Sequence, residues 1–266
     1  MNRIDQLFQS KSSNILSIYF TAGYPKVHDT VTVLEALEKG GADMAEIGMP
    51  FSDPLADGPV IQESSQTALK NGMSISFLFE QLQDIRKSVS MPLILMGYLN
   101  PVMQYGMERF CRKASQSGID GIILPDLPVD IYEQEYKHLF ESEGVNKIFL
   151  ITPETSDERI KLIDKLGSGF TYLVSASSTT GAKEGFQSNQ IDYFKRIQQM
   201  NLTNSSLIGF GISNHLAYRQ ACEYANGAII GSAFIKHLSR FSGHYTEKEL
   251  ETSTAEFIGN IKAGSL

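Results

Sequence analysis

Eight short apolar runs, eight longer amphipathic runs between and after them, and no break in composition along the 266 residues predict an α/β fold. The specific expectation is a single (β/α)8 TIM barrel with an extra N-terminal helix, residues 1–266 forming one domain. A barrel of this kind typically needs about 250 residues. The 42% hydrophobic content supplies a sizeable core, and with 20% charged residues disorder is not expected.

The pattern over 2–9 reads as the extra helix, placed to plug the bottom of the barrel. The apolar runs lie at 16–20, 44–47, 93–96, 119–124, 147–151, 170–174, 206–210 and 228–230. Most are near-continuously apolar, as parallel strands covered on both faces must be. Helical patterns lie at 29–39, 76–88, 107–117, 131–143, 157–166, 190–200, 215–224 and 247–262. Val33, Leu34 and Leu37 share one helix face, as do Leu78, Phe79, Leu82 and Ile85. Ser156 precedes an acidic first turn, and Gly40, Gly118, Gly144 and Gly167 follow helical runs, where left-handed caps are expected. Repeated strand–helix alternation implies right-handed parallel crossovers. An open doubly wound sheet fits that alternation as well; the equal counts, the length and the uniform composition favour closure.

The net charge of −7, without a Lys/Arg cluster, excludes a nucleic-acid partner of the ordinary kind. Cys111 and Cys222 are too few for a disulfide framework or a zinc site and read as thiols of a reducing compartment. No N-terminal apolar stretch resembles a signal peptide and no run approaches a membrane span, so the expectation is a cytoplasmic protein. Five scattered histidines lack metal-ligand spacing, and His215 needs no role at a helix start. No metal site, dinucleotide fingerprint or Walker motif is expected, and Lys183 is loop-borne rather than at a strand end.

In such barrels the chemistry sits at the C-terminal ends of the strands. Period-two alternation puts Met44 and Glu46 on one face of the second strand, opposite Ala45 and Ile47. The outward face meets apolar helices, so Glu46 points inward. Burial there should raise its pKa and let it exchange protons near neutral pH. A structural, hydrogen-bonded Glu is the plainer alternative. Asp57 follows in a loop stiffened by Pro50, Pro54 and Pro59, and supplies a second carboxylate in a different setting. Turn capping by Asp53 and Asp57 would explain them without chemistry. Gly-bearing turns after the last three strands, at Thr180-Gly181, Gly209-Phe210-Gly211 and Gly231-Ser232, suit close approach of backbone N–H groups to a phosphate. A short helix at 233–238 would add its N-terminus. Tyr19, Tyr98, Tyr172 and Phe210 lie near strand ends, where they line a pocket for a flat apolar ring or simply fill the barrel.

The stretch Glu46-Ile47-Gly48-Met49-Pro50-Phe51-Ser52-Asp53-Pro54-Leu55-Ala56-Asp57-Gly58-Pro59 resembles the signature of the tryptophan synthase alpha subunit family. The resemblance continues through Thr21-Ala22-Gly23-Tyr24-Pro25, Gly97-Tyr98-Leu99-Asn100-Pro101, Pro125-Asp126-Leu127-Pro128, Tyr172-Leu173-Val174-Ser175, Thr180-Gly181, Gly209-Phe210-Gly211-Ile212-Ser213 and Gly231-Ser232-Ala233, covering essentially the whole chain. It implies a lyase that splits indole-3-glycerol phosphate to indole and glyceraldehyde 3-phosphate, with Glu46 and Asp57 as the catalytic pair and no cofactor in this chain. It further implies an alpha2beta2 assembly with a beta subunit that carries pyridoxal phosphate and receives the indole. The catalytic face would then be the docking face, with Asp53 and Asn100 at the partner interface. One departure stands out: Ala176 occupies the place of the family's usual Arg after Ser175. Two rivals are another phosphate-binding barrel enzyme of the same pathway, which would need different acid–base residues, and a regulatory subunit that mainly activates the beta chain.

Overall fold

The computed structural model describes residues 2–175 and 185–264. Eight parallel strands close into a barrel in sequence order: β1 (Ile15–Thr21), β2 (Met44–Gly48), β3 (Leu93–Met96), β4 (Gly121–Ile123), β5 (Asn146–Ile151), β6 (Phe170–Val174), β7 (Ser205–Gly209) and β8 (Gly227–Ile230), with β8 pairing back on β1. The expected strands stand, with ends shifted by no more than two residues.

Alternation sorts the side chains. Ile15, Met44, Ile94, Ile123, Ile148, Phe170, Leu207 and Ile229 pack together inside the barrel. Ile18, Phe20, Ala45, Ile47, Leu93 and Leu95 belong to the layer between strands and helices. Both faces are therefore dry, which is why the runs read as apolar without interruption. Helix α1 (Arg3–Ser10) plugs the barrel bottom as expected. Its Ile4 is fully buried among the interior residues, and a Cβ on Gly121 would lie only 3.0 Å from Ile4 Cδ1. Asp120 ties this end together, accepting from Arg3, from Arg86 at 2.5 Å and from the Leu93 N–H at 2.9 Å.

The outer helices are α2 (Asp29–Gly40), α3 (Pro59–Lys70), α4 (Ile75–Leu82), α5 (Leu99–Tyr105), α6 (Met107–Gln116), α7 (Val129–Ile131), α8 (Lys137–Glu143), α9 (Asp157–Leu166), α10 (Ser188–Gln199), α11 (His215–Tyr224), α12 (Ser232–Leu238) and α13 (Glu247–Ala263). Two of these, α3 and α5, lie where the sequence pattern predicts no helix. Pro59 at the first turn of α3 and Pro101 in the first turn of α5 are tolerated there, because those N–H groups have no intrahelical acceptor anyway. The pattern over 131–143 is broken by a π-helical turn, Tyr132–Tyr136, and that over 76–88 ends in a 3-10 turn, Ile85–Lys87.

Capping needs two corrections. Gly118 and Gly144 do take left-handed conformations, and Ser156 does cap α9. Gly40 instead ends α2 while Gly41 is the left-handed residue at φ +89, and Gly167 is extended at φ −76. At Gly167 an added Cβ would meet the Ile163 carbonyl oxygen at 2.9 Å, so close packing against the α9 end, not handedness, asks for glycine. Among the described residues no helix is long and apolar enough to cross a membrane.

Candidate active site

A cavity of about 610 Å³ opens at the C-terminal ends of the strands. Tyr19 and Tyr172 form part of its wall, and each needs a glycine beside it. A Cβ on Gly48 would meet the Tyr19 hydroxyl at 2.2 Å, and one on Gly209 would meet the Tyr172 hydroxyl at 2.1 Å. The two glycines thus open room for two phenols in a barrel mouth otherwise filled by side chains.

Glu46 points inward and is fully buried. Its backbone pairs in register with Tyr19, yet its Oε1 accepts from Ser17 Oγ at 2.8 Å, one layer deeper in the barrel. Oε2 has no partner among the described residues. Loss of water without a compensating cation pushes the carboxyl up to about 8, the Ser17 hydrogen bond only partly opposing it. The Glu46 side chain does not itself line the cavity.

Asp57 does line the cavity. It follows a tight turn in which its N–H donates to the Pro54 carbonyl at 3.1 Å, while the Gln62 side chain from α3 donates to its own carbonyl at 2.8 Å. Burial raises its carboxyl to about 6, and a hydrogen bond from the Tyr98 hydroxyl at 3.0 Å limits the rise. Both carboxyls are close enough to Tyr19 and Tyr172 to push those phenols well above their ordinary range, on top of burial, the main cause.

The remaining expected site residues divide. Tyr19, Tyr172, Phe210, Gly211, Gly231 and Ser232 gather around this one cavity. Tyr98 does not line it. Its ring packs on Phe51, and its hydroxyl accepts from the Ala56 N–H at 3.0 Å while donating to Asp57, so it holds the Asp57 loop rather than facing the cavity. Asp126 steadies that tyrosine's neighbour by accepting from the Leu99 N–H with both carboxylate oxygens, at 2.9 and 3.0 Å. Thr180, Gly181, Ala176 and Lys183 lie outside the described residues. Asp53 and Asn100 are exposed in the segments after β2 and β3, in the same region as Leu55 (95% exposed) and Met103 (50%). His215 bonds the Ile261 carbonyl through Nδ1 at 2.9 Å.

Several lining residues are not marked by a motif of the sequence, Lys236 and Gln190 among them, and Ser175 stands there only as the end of the motif Tyr172-Leu173-Val174-Ser175. Lys236 is the only cationic side chain among the described lining residues, which also carry the acids Asp57 and Glu154. It lies four residues after Ser232, on the same face of α12, a spacing that would have found it. Ser175 and Gln190 also line the cavity, but only their contacts, not a spacing, mark them. Among the described residues no three His, Cys, Asp or Glu side chains gather as a metal site would require.

A family model described as tryptophan synthase alpha chain matches residues 6–264. The tryptophan synthase alpha chain of Flavobacterium psychrophilum is 59% identical over 239 residues, covering 90% of this chain and 94% of that one. That of Flavobacterium johnsoniae is 56% identical, covering 98% and 100%. Among solved structures, the tryptophan synthase alpha subunit of Legionella pneumophila superposes with a TM-score of 0.85 at 32% identity, covering 98% of this chain and 100% of that one. A Mycobacterium tuberculosis tryptophan synthase superposes at 0.86 with 28% identity, covering 99% of each. Barrel, paired carboxylates and near-complete coverage agree: the chain belongs to the tryptophan synthase alpha chain family, a family of lyases that cleave indole-3-glycerol phosphate.

Proposed function

We propose that Glu46 and Asp57 carry out the family's reaction here, the retro-aldol cleavage of indole-3-glycerol phosphate to indole and glyceraldehyde 3-phosphate. The observation that carries this reading is that Glu46 is wholly buried with only Ser17 beside it while Asp57 lines the cavity at the barrel mouth, so that burial holds the first carboxyl near 8 and the second near 6. At neutral pH the first keeps its proton and the second is charged, a division of acid and anion roles set by environment. Glu46 swings from Ser17 toward the cavity and delivers its proton to C3 of the indole ring. The carboxylate left behind takes the proton of the glycerol 3-hydroxyl. The carbon–carbon bond then breaks, its electrons return to the ring, and the glycerol carbon leaves as the aldehyde. Asp57 accepts from the indole N–H and stabilises the positive charge that builds there. Tyr19, Tyr172 and Phe210 hold the ring, and Gly211, Gly231 and Ser232, with Thr180 and Gly181, hold the phosphate end.

The finer assignments extend to the assembly. Indole passes to a beta subunit that carries the pyridoxal phosphate, in an alpha2beta2 complex docked on the catalytic face through Asp53 and Asn100. The exposed apolar side chains of Leu55 and Met103 support that face. Incubating the isolated chain with indole-3-glycerol phosphate and following indole release tests the reaction; no release above the uncatalysed rate refutes it. For the interface, Asp53→Ala should keep basal cleavage and lose stimulation by added beta subunit. Undiminished stimulation removes Asp53 from that role.

A further inference from the structure

Phe210 stands in a conformation that bulky residues avoid. Its φ is +68, and Gly211 follows at +78. For glycine this region costs little, but a Cβ beside the carbonyl makes it strained for phenylalanine. Something must hold it. The Phe210 carbonyl oxygen accepts from Ser175 Oγ at 2.5 Å, and the ring leans edge-on against Tyr172, centroids 6.1 Å apart at 68°. Ser175 is itself tied at both ends. Its N–H donates to the Gly209 carbonyl at 3.1 Å, and its carbonyl accepts from Gln190 Nε2 at 2.8 Å. The Gln190 amide is fully committed, since its oxygen accepts from the Gln187 N–H at 2.8 Å in the first turn of α10. The ends of β6, β7 and α10 are thus lashed together, and Ser175 is almost wholly buried at the crossing.

We infer that Ser175, anchored by Gln190, is a positioning residue for the ring half of the substrate site: its hydroxyl holds the Phe210 backbone in the left-handed turn that presents the phenyl ring to the cavity. This rests on the reading of Phe210 as a ring-binding residue. Without the hydroxyl, the Phe210 carbonyl loses its donor, the peptide relaxes toward negative φ, and the ring leaves its place against Tyr172. Of the described residues of the phosphate half only Gly211 adjoins this turn; Gly231 and Ser232, and the cation Lys236, stand on the end of β8 and on α12, away from the bond.

The test separates the two halves. The chain contains no tryptophan, so the fluorescence of indole reads its binding without a protein indole background. Titrations with indole and, separately, with glycerol 3-phosphate are run on wild type, Ser175→Ala, Ser175→Thr and Phe210→Leu. Ser175→Ala should weaken indole about tenfold, the scale of one lost hydrogen bond of ordinary strength, and leave glycerol 3-phosphate within about twofold. Ser175→Thr, which keeps the hydroxyl, should restore indole binding, and Phe210→Leu should weaken it. Wild-type indole affinity in Ser175→Ala beside weakened Phe210→Leu overturns the role of Ser175 alone. Wild-type affinity in Phe210→Leu overturns the ring reading and the inference with it. Equal weakening of both ligands in Ser175→Ala means general loosening and overturns the positioning role. If Ser175→Ala does not fold, Gln190→Met cuts the same anchor from α10 and must show the same selective loss of indole.

Discussion

Replacing Glu46 by Gln should impair the enzyme and change the stability of the fold with a sign that depends on pH. The folded carboxyl lies at about 8 against an ordinary 4.5. Between those values the folded state keeps a proton that the unfolded chain gives up, so wild-type stability is full below 4.5 and falls as pH rises toward 8. At about 1.4 kcal/mol per pH unit, that interval amounts to about 5 kcal/mol. Gln does not titrate and escapes the loss, but its amide carries one N–H more than the protonated carboxyl has O–H, and that extra donor would face the space around Oε2, where no partner stands among the described residues. An unmatched buried donor costs about 1–3 kcal/mol. The variant should therefore be less stable than wild type by about 1–3 kcal/mol at pH 4.5 and more stable by about 2–4 kcal/mol at pH 9. Urea unfolding at several pH values between 4.5 and 9, with indole release measured on the same samples, reads both effects. Turnover should drop by at least about 10²-fold, the scale of general acid–base catalysis. Stability curves that run parallel across this range would show that Glu46 is not held protonated by burial, and near-wild-type turnover would remove it from the chemistry.

The same two carboxyls predict a bell-shaped dependence of kcat/KM for indole release, rising through about 6 as Asp57 ionises and falling through about 8 as Glu46 loses its proton; a flat profile between 5 and 9 would contradict the assigned roles. Tyr98→Phe removes a hydrogen bond that lowers the Asp57 pKa, so the acid limb should move to higher pH while the alkaline limb stays; an unmoved acid limb would sever Tyr98 from Asp57. Lys236→Met should weaken inhibition by glycerol 3-phosphate about fivefold to tenfold and flatten its salt dependence, with indole affinity unchanged, because it removes the only cation among the described lining residues; unchanged glycerol 3-phosphate affinity would place Lys236 outside the phosphate clamp.

Much of this was legible in the chain because it depends on period and position. Strand alternation turns Glu46 inward; Pro-rich spacing only permits Asp57 at the barrel mouth, and the family signature is what joins the two as a pair. What escaped depends on contacts between distant segments. Tyr98 looked like a ring-lining aromatic because it follows a strand, but its hydroxyl has a better use 41 residues back, on Asp57. Helix α5 was hidden by Asn100-Pro101, a pair that reads as a turn; Pro101 fits because it occupies the first helical turn. Gly40 and Gly41 are adjacent, and only the chain path decides which takes the left-handed cap. Gln190 carries no sequence signal and Ser175 none beyond its place in the family motif, because their contacts are a bond to a backbone carbonyl 35 residues away and another 15 residues away.

The division of labour between the carboxyls follows from where the barrel puts them. Glu46 comes from the second strand and rests wholly buried, so before it turns to the cavity its charged form has only Ser17 for company. Asp57 sits on a loop at the rim, where Tyr98 offers a donor and the cavity is near, so its charged form survives to lower pH. Exchanging the two residue types would not exchange the roles, because the side chains differ by one methylene while the surroundings differ in hydration. The interior tyrosines sharpen this contrast. Tyr19 and Tyr172 occupy space that water would otherwise fill, and they fit only because Gly48 and Gly209 present no Cβ to their hydroxyls. Those two glycines therefore shape the surroundings of the carboxyls through packing. By admitting the phenols they let side chains rather than open space stand beside Glu46, and burial is the main force holding its proton.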